Sequence, residues 1–90
     1  MTIPHRDRIL HIARLHGMRN VRVFGSVARG EATAHDLDLL VDAAPDRTLL
    51  DFVRFWQQVE ELVGHRVDVV ADGGISPYLQ ERIYSEAKPL

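Results

Sequence analysis

The chain has 90 residues, of which 46% are hydrophobic and 27% are charged, so it has room for one compact domain with one modest core. The absence of cysteine excludes disulfide scaffolds and thiolate metal sites, and no apolar run approaches the ~20 residues of a membrane span. A net charge of −2 disfavours a domain that grips nucleic acid, although a bound divalent cation would still permit a nucleotide ligand. We therefore expect a folded, cytoplasmic domain.

The first third of the chain predicts a helix, a strand and a helical turn. Residues Pro4 to about His16 carry apolar residues at helical spacing, and Gly17 is placed to end that helix. Residues Asn20 to Phe24 alternate polar and apolar side chains, which is the pattern of a strand. Gly25 and Ser26 break the strand, and a short helix continues to about Arg29.

The remainder continues the alternation. Residues Asp36 to Val41 and Arg66 to Val70 predict two more strands. Between them a helix begins after Thr48, a candidate N-cap, and is followed by Gly64. A last helix begins at Pro77. The order α-β-α-β-α-β-α predicts an α/β domain in which helices cover a small sheet.

The helix after Thr48 carries more apolar residues than one face needs. Its predicted buried stripe consists of Leu49, Phe52, Val53, Trp56, Val59 and Val63. Leu50, Phe55 and Leu62 lie off that stripe, and Trp56 and Tyr78 add aromatic area. Two interpretations stay open: these residues form a partner-binding surface, or a small domain buries them in its own core.

Gly25 and Ser26 stand where a predicted strand ends and a short helix begins. Glycine lets the backbone approach a ligand closely, and the first amide groups of a helix attract anions. The pair therefore fits a phosphate-binding turn. A simple turn in which Ser26 only caps the helix explains the same two residues.

Three aspartates lie on the predicted strands. Asp36 and Asp38 are two residues apart, so both carboxylates project from one face of their strand. A divalent cation would relieve their repulsion, and magnesium prefers such oxygen ligands together with substrate phosphates. Asp68 would join them if its strand lies next to theirs. Each aspartate alone is equally compatible with an exposed position on a half-buried strand.

The combination of these motifs resembles the nucleotidyltransferase superfamily of DNA polymerase beta, and within it the minimal bacterial branch. The resemblance runs through Val-Phe-Gly-Ser-Val-Ala-Arg-Gly-Glu-Ala (Val23 to Ala32), Asp-Leu-Asp-Leu-Leu-Val-Asp (Asp36 to Asp42) and Arg-Val-Asp-Val-Val (Arg66 to Val70). It implies a nucleotidyltransferase fold, with a mixed three-stranded sheet flanked by about four helices. Residues 1–90 would form a single minimal nucleotidyltransferase domain.

The resemblance also implies a chemistry, namely transfer of a nucleoside monophosphate from ATP to an acceptor hydroxyl. Asp36 and Asp38 would bind one magnesium ion, and a second would be shared by Asp36, Asp38 and Asp68, as in other two-metal sites. Asp68 is also a candidate to accept the proton of the acceptor.

The same resemblance places the triphosphate against Gly25 and Ser26. Arg29 belongs to the matching motif, and two roles for it stay open: contact with a phosphate, or pairing with an acid that braces the loop. The family usually has serine before the paired aspartates, where this chain has His35. We expect His35 to be exposed, or else to contact phosphate or a partner.

Minimal relatives of this length are commonly encoded beside a helical RNase toxin of the HEPN class. The resemblance therefore implies an antitoxin that transfers AMP to a tyrosine of that toxin, in contact with neither membrane nor nucleic acid. A hetero-oligomer with the toxin is compatible with this role. The competing function is a binding module that neutralises the toxin by contact alone. Transfer to tRNA or a small molecule is disfavoured by the mild acidity and the missing acceptor domain.

Overall fold

The computed structural model describes residues 3–31 and 37–90, and its helices and strands alternate as the sequence predicts. The elements are α1 (Arg6–Leu15), β1 (Met18–Phe24), α2 (Gly25–Ala28), β2 (Leu37–Ala43), α3 (Leu49–Val63), β3 (Val67–Ala71), α4 (Pro77–Glu86) and β4 (Lys88–Pro89). The predicted ends differ from these by a few residues, as is usual where helices and strands fray.

The strands form one mixed sheet in the order β3-β2-β1-β4. β2 and β3 are parallel, whereas β1 is antiparallel to both β2 and β4. The prediction of a mixed sheet is confirmed, but the prediction of three strands was wrong. β4 is only two residues long and includes Pro89, so no alternating sequence pattern predicts it. It forms because the free edge of β1 accepts it, with Leu90 N–H donating to Val21 O at 3.0 Å.

Alternate residues of the strands point to opposite faces of the sheet. One face, here called the α1/α3 face, packs on helices α1 and α3 through fully buried apolar residues, among them Val23, Leu39, Val41 and Val67. The other, here called the α4 face, holds a smaller apolar cluster beneath α4, built on Leu40, Ile75 and Ile83. The domain therefore has its main core on one side of the sheet only.

Helix α3 is rotated relative to the predicted stripe. Phe55 and Val59 are fully buried, whereas Leu49 at the start of the helix is 76% exposed. The placement of Phe55 off the buried face was therefore wrong, and so was that of Leu49 on it. Trp56 packs at the edge of the core, where its indole N–H donates to Val67 O at 2.5 Å.

Of the surplus apolar residues, some belong to the core and others stay on the surface, so each interpretation fits part of the set. Phe55 belongs to the core and Leu62 packs against it, whereas Leu50 is 56% exposed and Tyr78 is 96% exposed. Within the described ranges, none of the helices is long and apolar enough to cross a membrane.

Candidate active site

A cavity of about 330 Å³ opens on the α4 face, between the end of β1, helix α2 and helix α4. Its walls bring together residues that are far apart in the chain: Phe24, Gly25, Ser26, Arg29, Asp38, Asp68, Leu79, Arg82, Ile83 and Glu86. Five of the six predicted site residues meet here, and the sixth, Asp36, lies outside the described residues, as does His35. A smaller cavity of about 230 Å³ lies near His5 and His65, and no carboxylate is among the described residues that line it.

Asp38 and Asp68 lie side by side in the sheet. They are register partners in the parallel pairing of β2 with β3, and neighbouring strands are about 4.8 Å apart. Both line the cavity on the α4 face, so the condition that their strands be neighbours is met. The side chain of Asp68 is 47% exposed, and its Oδ1 lies 3.7 Å from the Nε atom of Arg66.

The paired carboxylates are compatible with a magnesium site. In residues 3–31 and 37–90, no group of three or more histidine, aspartate or glutamate side chains could hold a metal ion by itself. Magnesium does not require such a group, since it typically takes one or two carboxylates and completes its shell with substrate phosphates and water. Asp38 and Asp68 satisfy that requirement within the described residues.

Both the backbone conformation at position 25 and the nearby Asp38 side chain require a glycine there. Its φ of +72° is in the left-handed region, which L-residues with a side chain rarely adopt. A Cβ atom built on Gly25 would collide with Oδ2 of Asp38. The pairing of Phe24 with Asp38 across β1 and β2 causes this close approach. The glycine therefore lets the turn backbone lie directly against a carboxylate of the site.

Ser26 is the second residue of α2, and the N-cap of that helix is Phe24. The interpretation of Ser26 as nothing more than a helix cap is therefore not supported. The residue is half-buried and lies on the cavity wall beside Gly25. Ser26 and Gly25 therefore line the same part of the cavity.

Arg29 pairs with two acids. Its Nε–H donates to Glu31 Oε1 at 2.9 Å, and its Nη1–H donates to Glu86 Oε1 at 3.0 Å. The hydrogen bond to Glu31, followed by the one to Glu86, raises the pKa of the guanidinium above its usual value. Of the two roles left open for Arg29, pairing with an acid is the one observed in this structure.

Glu86 and Arg82 are site residues that the sequence analysis missed. Glu86 Oε2 accepts the N–H of Gly25 at 3.2 Å, and Glu86 Oε1 accepts Arg82 Nε–H at 3.3 Å in addition to Arg29. Partial burial acts to raise the pKa of Glu86, but hydrogen bonds from Arg82 and Arg29 outweigh it and hold that pKa below the usual value. One signal was readable, because an acid in the last turn of a helix faces the unfavourable end of the dipole.

Comparison with known proteins decides the family. Residues 8–90 match the nucleotidyltransferase domain family. This chain belongs to that family. It is 40% identical over 83 residues to a Methanocaldococcus jannaschii protein provisionally named a protein adenylyltransferase, covering 91% of this chain and 89% of the relative. It is 37% identical over 71 residues to the protein adenylyltransferase MntA of Thermococcus cleftensis, covering 78% of this chain and 72% of the relative.

Solved structures agree on the fold. A structure provisionally described as a minimal nucleotidyltransferase is 49% identical, with a TM-score of 0.84, covering 96% of this chain and 89% of that one. A more distant structure, at 20% identity and a TM-score of 0.71, contains a tri-AMPylated Shewanella oneidensis HEPN toxin in complex with its MNT antitoxin. That comparison covers 94% of this chain and 67% of the other. The family and fold predicted from the sequence motifs are confirmed.

Proposed function

We propose that this nucleotidyltransferase moves AMP from ATP to a hydroxyl group of a partner toxin and acts as the antitoxin of that pair. The observation that carries the proposal is the position of Asp38 and Asp68, which are register partners beside Gly25 in one cavity. The names of the relatives, which are protein adenylyltransferases, support AMP as the transferred group.

The triphosphate would lie against the turn at Gly25 and Ser26. Gly25 has a positive φ and lines the cavity, and its lack of a side chain leaves the space beside Asp38 open. Its amide and the Ser26 hydroxyl would donate to oxygens of the β- and γ-phosphates. Correct positioning of the reacting groups then supplies much of the rate, as it does in other phosphoryl transfers.

Asp38 and Asp68 would hold magnesium, with Asp36 proposed as a third ligand. Two ions are predicted, one on Asp36 and Asp38 and one shared by all three aspartates. Magnesium bound there would neutralise charge on the phosphates and polarise the reacting oxygens. The side chain of Asp68 is 47% exposed, which leaves it accessible to an incoming acceptor.

The proposed transfer is an exchange of one phosphorus–oxygen bond for another. The acceptor oxygen forms a bond to the α-phosphorus of ATP, and the bond from that phosphorus to the bridging oxygen breaks, so pyrophosphate leaves. The carboxylate of Asp68 takes the proton of the acceptor hydroxyl. A base at that position acts within hydrogen-bonding reach of the acceptor once the substrate is bound.

The proposed acceptor is a tyrosine of a HEPN-type toxin. The support is the Shewanella oneidensis complex, which shares the fold of this chain and contains an MNT antitoxin bound to an AMPylated HEPN toxin. A cytoplasmic location and a single domain over residues 1–90 accompany this proposal as predictions. The alternative, neutralisation by contact alone, makes a different prediction about catalytic variants.

Incubation of the chain with its toxin, ATP and magnesium tests the proposal by intact-mass spectrometry. We expect the toxin to gain the mass of one or more AMP groups. The double variant Asp36→Asn/Asp38→Asn should slow that gain on the order of 10³-fold, because a metal-bound phosphoryl group is stabilised by several kcal/mol. Asp7→Asn is the matched control, since Asp7 is 94% exposed on α1.

Three outcomes separate the functions. AMP addition that disappears in the double variant and persists in the control supports the enzyme. A toxin that stays unmodified but is still inhibited by the double variant and by the Asp7→Asn control supports the contact mechanism. Modification of tRNA or a small molecule in place of the toxin would contradict the proposed acceptor while leaving the transferase chemistry intact.

A further inference from the structure

The carboxylate of Glu86 occupies an arrangement of donors that resembles a phosphate site. It accepts the backbone N–H of Gly25 through one oxygen, and guanidinium N–H groups of Arg29 and Arg82 through the other. The three donors come from α2, its end and α4, and they converge on one anion. Its side chain is 19% exposed, so the contact is partly shielded from solvent.

Two guanidinium groups stabilise the Glu86 carboxylate, but negative charge is concentrated around it. Glu86 is the last residue of α4, where the helix dipole is negative. The same cavity also holds Asp38 and Asp68, so three carboxylates face two guanidinium groups among its described walls. Because a triphosphate carries several negative charges, it cannot share the Gly25 N–H with Glu86 without strong repulsion.

We propose that Glu86 holds the place of a phosphate group, and that a polyphosphate displaces it from the Gly25 amide, Arg29 and Arg82. This inference rests on the proposed function, because it places the triphosphate at the same turn. Displacement exchanges one anion for another on the same three donors, so the donors stay satisfied throughout. Nucleotide affinity is then set by competition with an internal carboxylate.

The exchange gives Arg82 a new role. With Glu86 in place, Arg82 Nε–H donates to Glu86 from one helical turn away. Its side chain is 69% exposed and lines the cavity, so it is free to follow an incoming anion. Arg82 and Arg29 would then bind phosphate oxygens as a pair, one from each wall of the cavity.

The test uses inorganic pyrophosphate without magnesium, so that neither the aspartate site nor AMP transfer influences the result. Calorimetric titration compares the full chain with Glu86→Gln, which keeps the shape of the side chain and removes its charge. We expect Glu86→Gln to bind pyrophosphate at least tenfold more tightly. Glu81→Gln, an exposed acid on the same helix, is the matched control and should bind as the unaltered chain does.

A second pair of variants tests the donors. Adding Arg82→Gln to Glu86→Gln should remove most of the gain, whereas adding Arg54→Gln, on the exposed side of α3, should leave it. Equal or weaker binding by Glu86→Gln overturns the proposal. If the toxin is never AMPylated but Glu86→Gln still gains affinity, the proposed function falls and the displacement stands.

The unaltered chain offers a measurement that does not depend on the folding of any variant. The side-chain carboxyl ¹³C resonance of Glu86 should move as pyrophosphate is added, because the carboxylate loses its three hydrogen-bond donors together. The corresponding resonance of Glu81 should stay fixed. Pyrophosphate binding that shifts the Gly25 amide and leaves the Glu86 carboxyl unmoved would also overturn the proposal.

Discussion

The α1/α3 face and the α4 face of the sheet are built from alternate residues of the same strands. On β2, Leu39 and Val41 point into the main core with no exposed surface, while Asp38, the residue before Leu39, lines the cavity. On β3, Val67 and Asp68 divide in the same way. The period of two thus lets one strand supply stability and chemistry at adjacent positions.

The two faces differ in the kind of side chain that they accept. Among the described residues, those buried on the α1/α3 face are apolar. The α4 face gathers like charges, which a fold tolerates only where cations or a ligand offset them. Substitutions on one face should therefore change stability, and substitutions on the other should change chemistry.

The largest expected effect is on the α1/α3 face. Phe55 is fully buried, so Phe55→Ala should lower the free energy of unfolding by about 3–5 kcal/mol through lost burial and a cavity. Urea denaturation measures this change. Leu50→Ala on the same helix, at a residue 56% exposed, should cost well under about 1 kcal/mol. Similar losses for the two variants would remove the distinction between the faces.

The second prediction concerns Gly25, where backbone and site meet. Gly25→Ala places a side chain against Asp38 Oδ2 at a φ of +72°, so the carboxylate must move. We expect AMP transfer to fall on the order of 10²-fold, since a small displacement of a reacting group has that effect. Mass spectrometry of the toxin over time gives the rate.

Gly64→Ala is the control for that experiment. Gly64 ends α3 with a φ of +80°, and a Cβ built there meets no atom within 4 Å. It shares the backbone cost of about 1 kcal/mol but not the contact with Asp38. An equal loss of transfer in both variants would show that backbone strain alone, and not Asp38, explains the requirement for Gly25.

The smallest effect is expected from a hydrogen bond on the α4 face. Tyr84 O–H donates to Asp72 Oδ1 at 2.5 Å. This bond lowers the pKa of Asp72 and raises the pKa of Tyr84. The Asp72 contribution to stability is therefore present above the usual aspartate pKa of about 3.9 and is lost as pH falls below it. The Tyr84 contribution is present below about pH 10 and is lost as pH rises through the raised pKa.

Tyr84→Phe should remove the Tyr84 dependence and weaken the Asp72 dependence, because Arg22 still pairs with Asp72 at 3.3 Å. The difference in unfolding free energy between the unaltered chain and Tyr84→Phe should be constant near neutrality and shrink at both extremes of pH. Denaturant unfolding at several pH values measures it. Tyr78→Phe, at a residue 96% exposed, should show no such pattern. A difference that grows above pH 10 would contradict the assignment.

The local sequence was sufficient to predict what depends on neighbours in the chain. The alternation around Asp38 and Asp68, the break at Gly25 and the helix between Thr48 and Gly64 are all set by the period of each element and by residues that start or end it. The motifs by which the family is identified are also short, contiguous stretches of sequence. The order of elements was predicted on this basis, whereas the mixed sheet was predicted from the family resemblance.

Only the tertiary structure decided the contacts between distant segments. Nothing local predicts that Lys88–Pro89 pairs with β1, that α3 turns Phe55 toward the sheet, or that Glu86 reaches the amide of Gly25, 61 residues away. These features depend on which surfaces remain to be covered once the sheet has formed, and on charges that converge from separate helices. A one-dimensional pattern records the period of an element, whereas the packing of elements settles which of its residues meet.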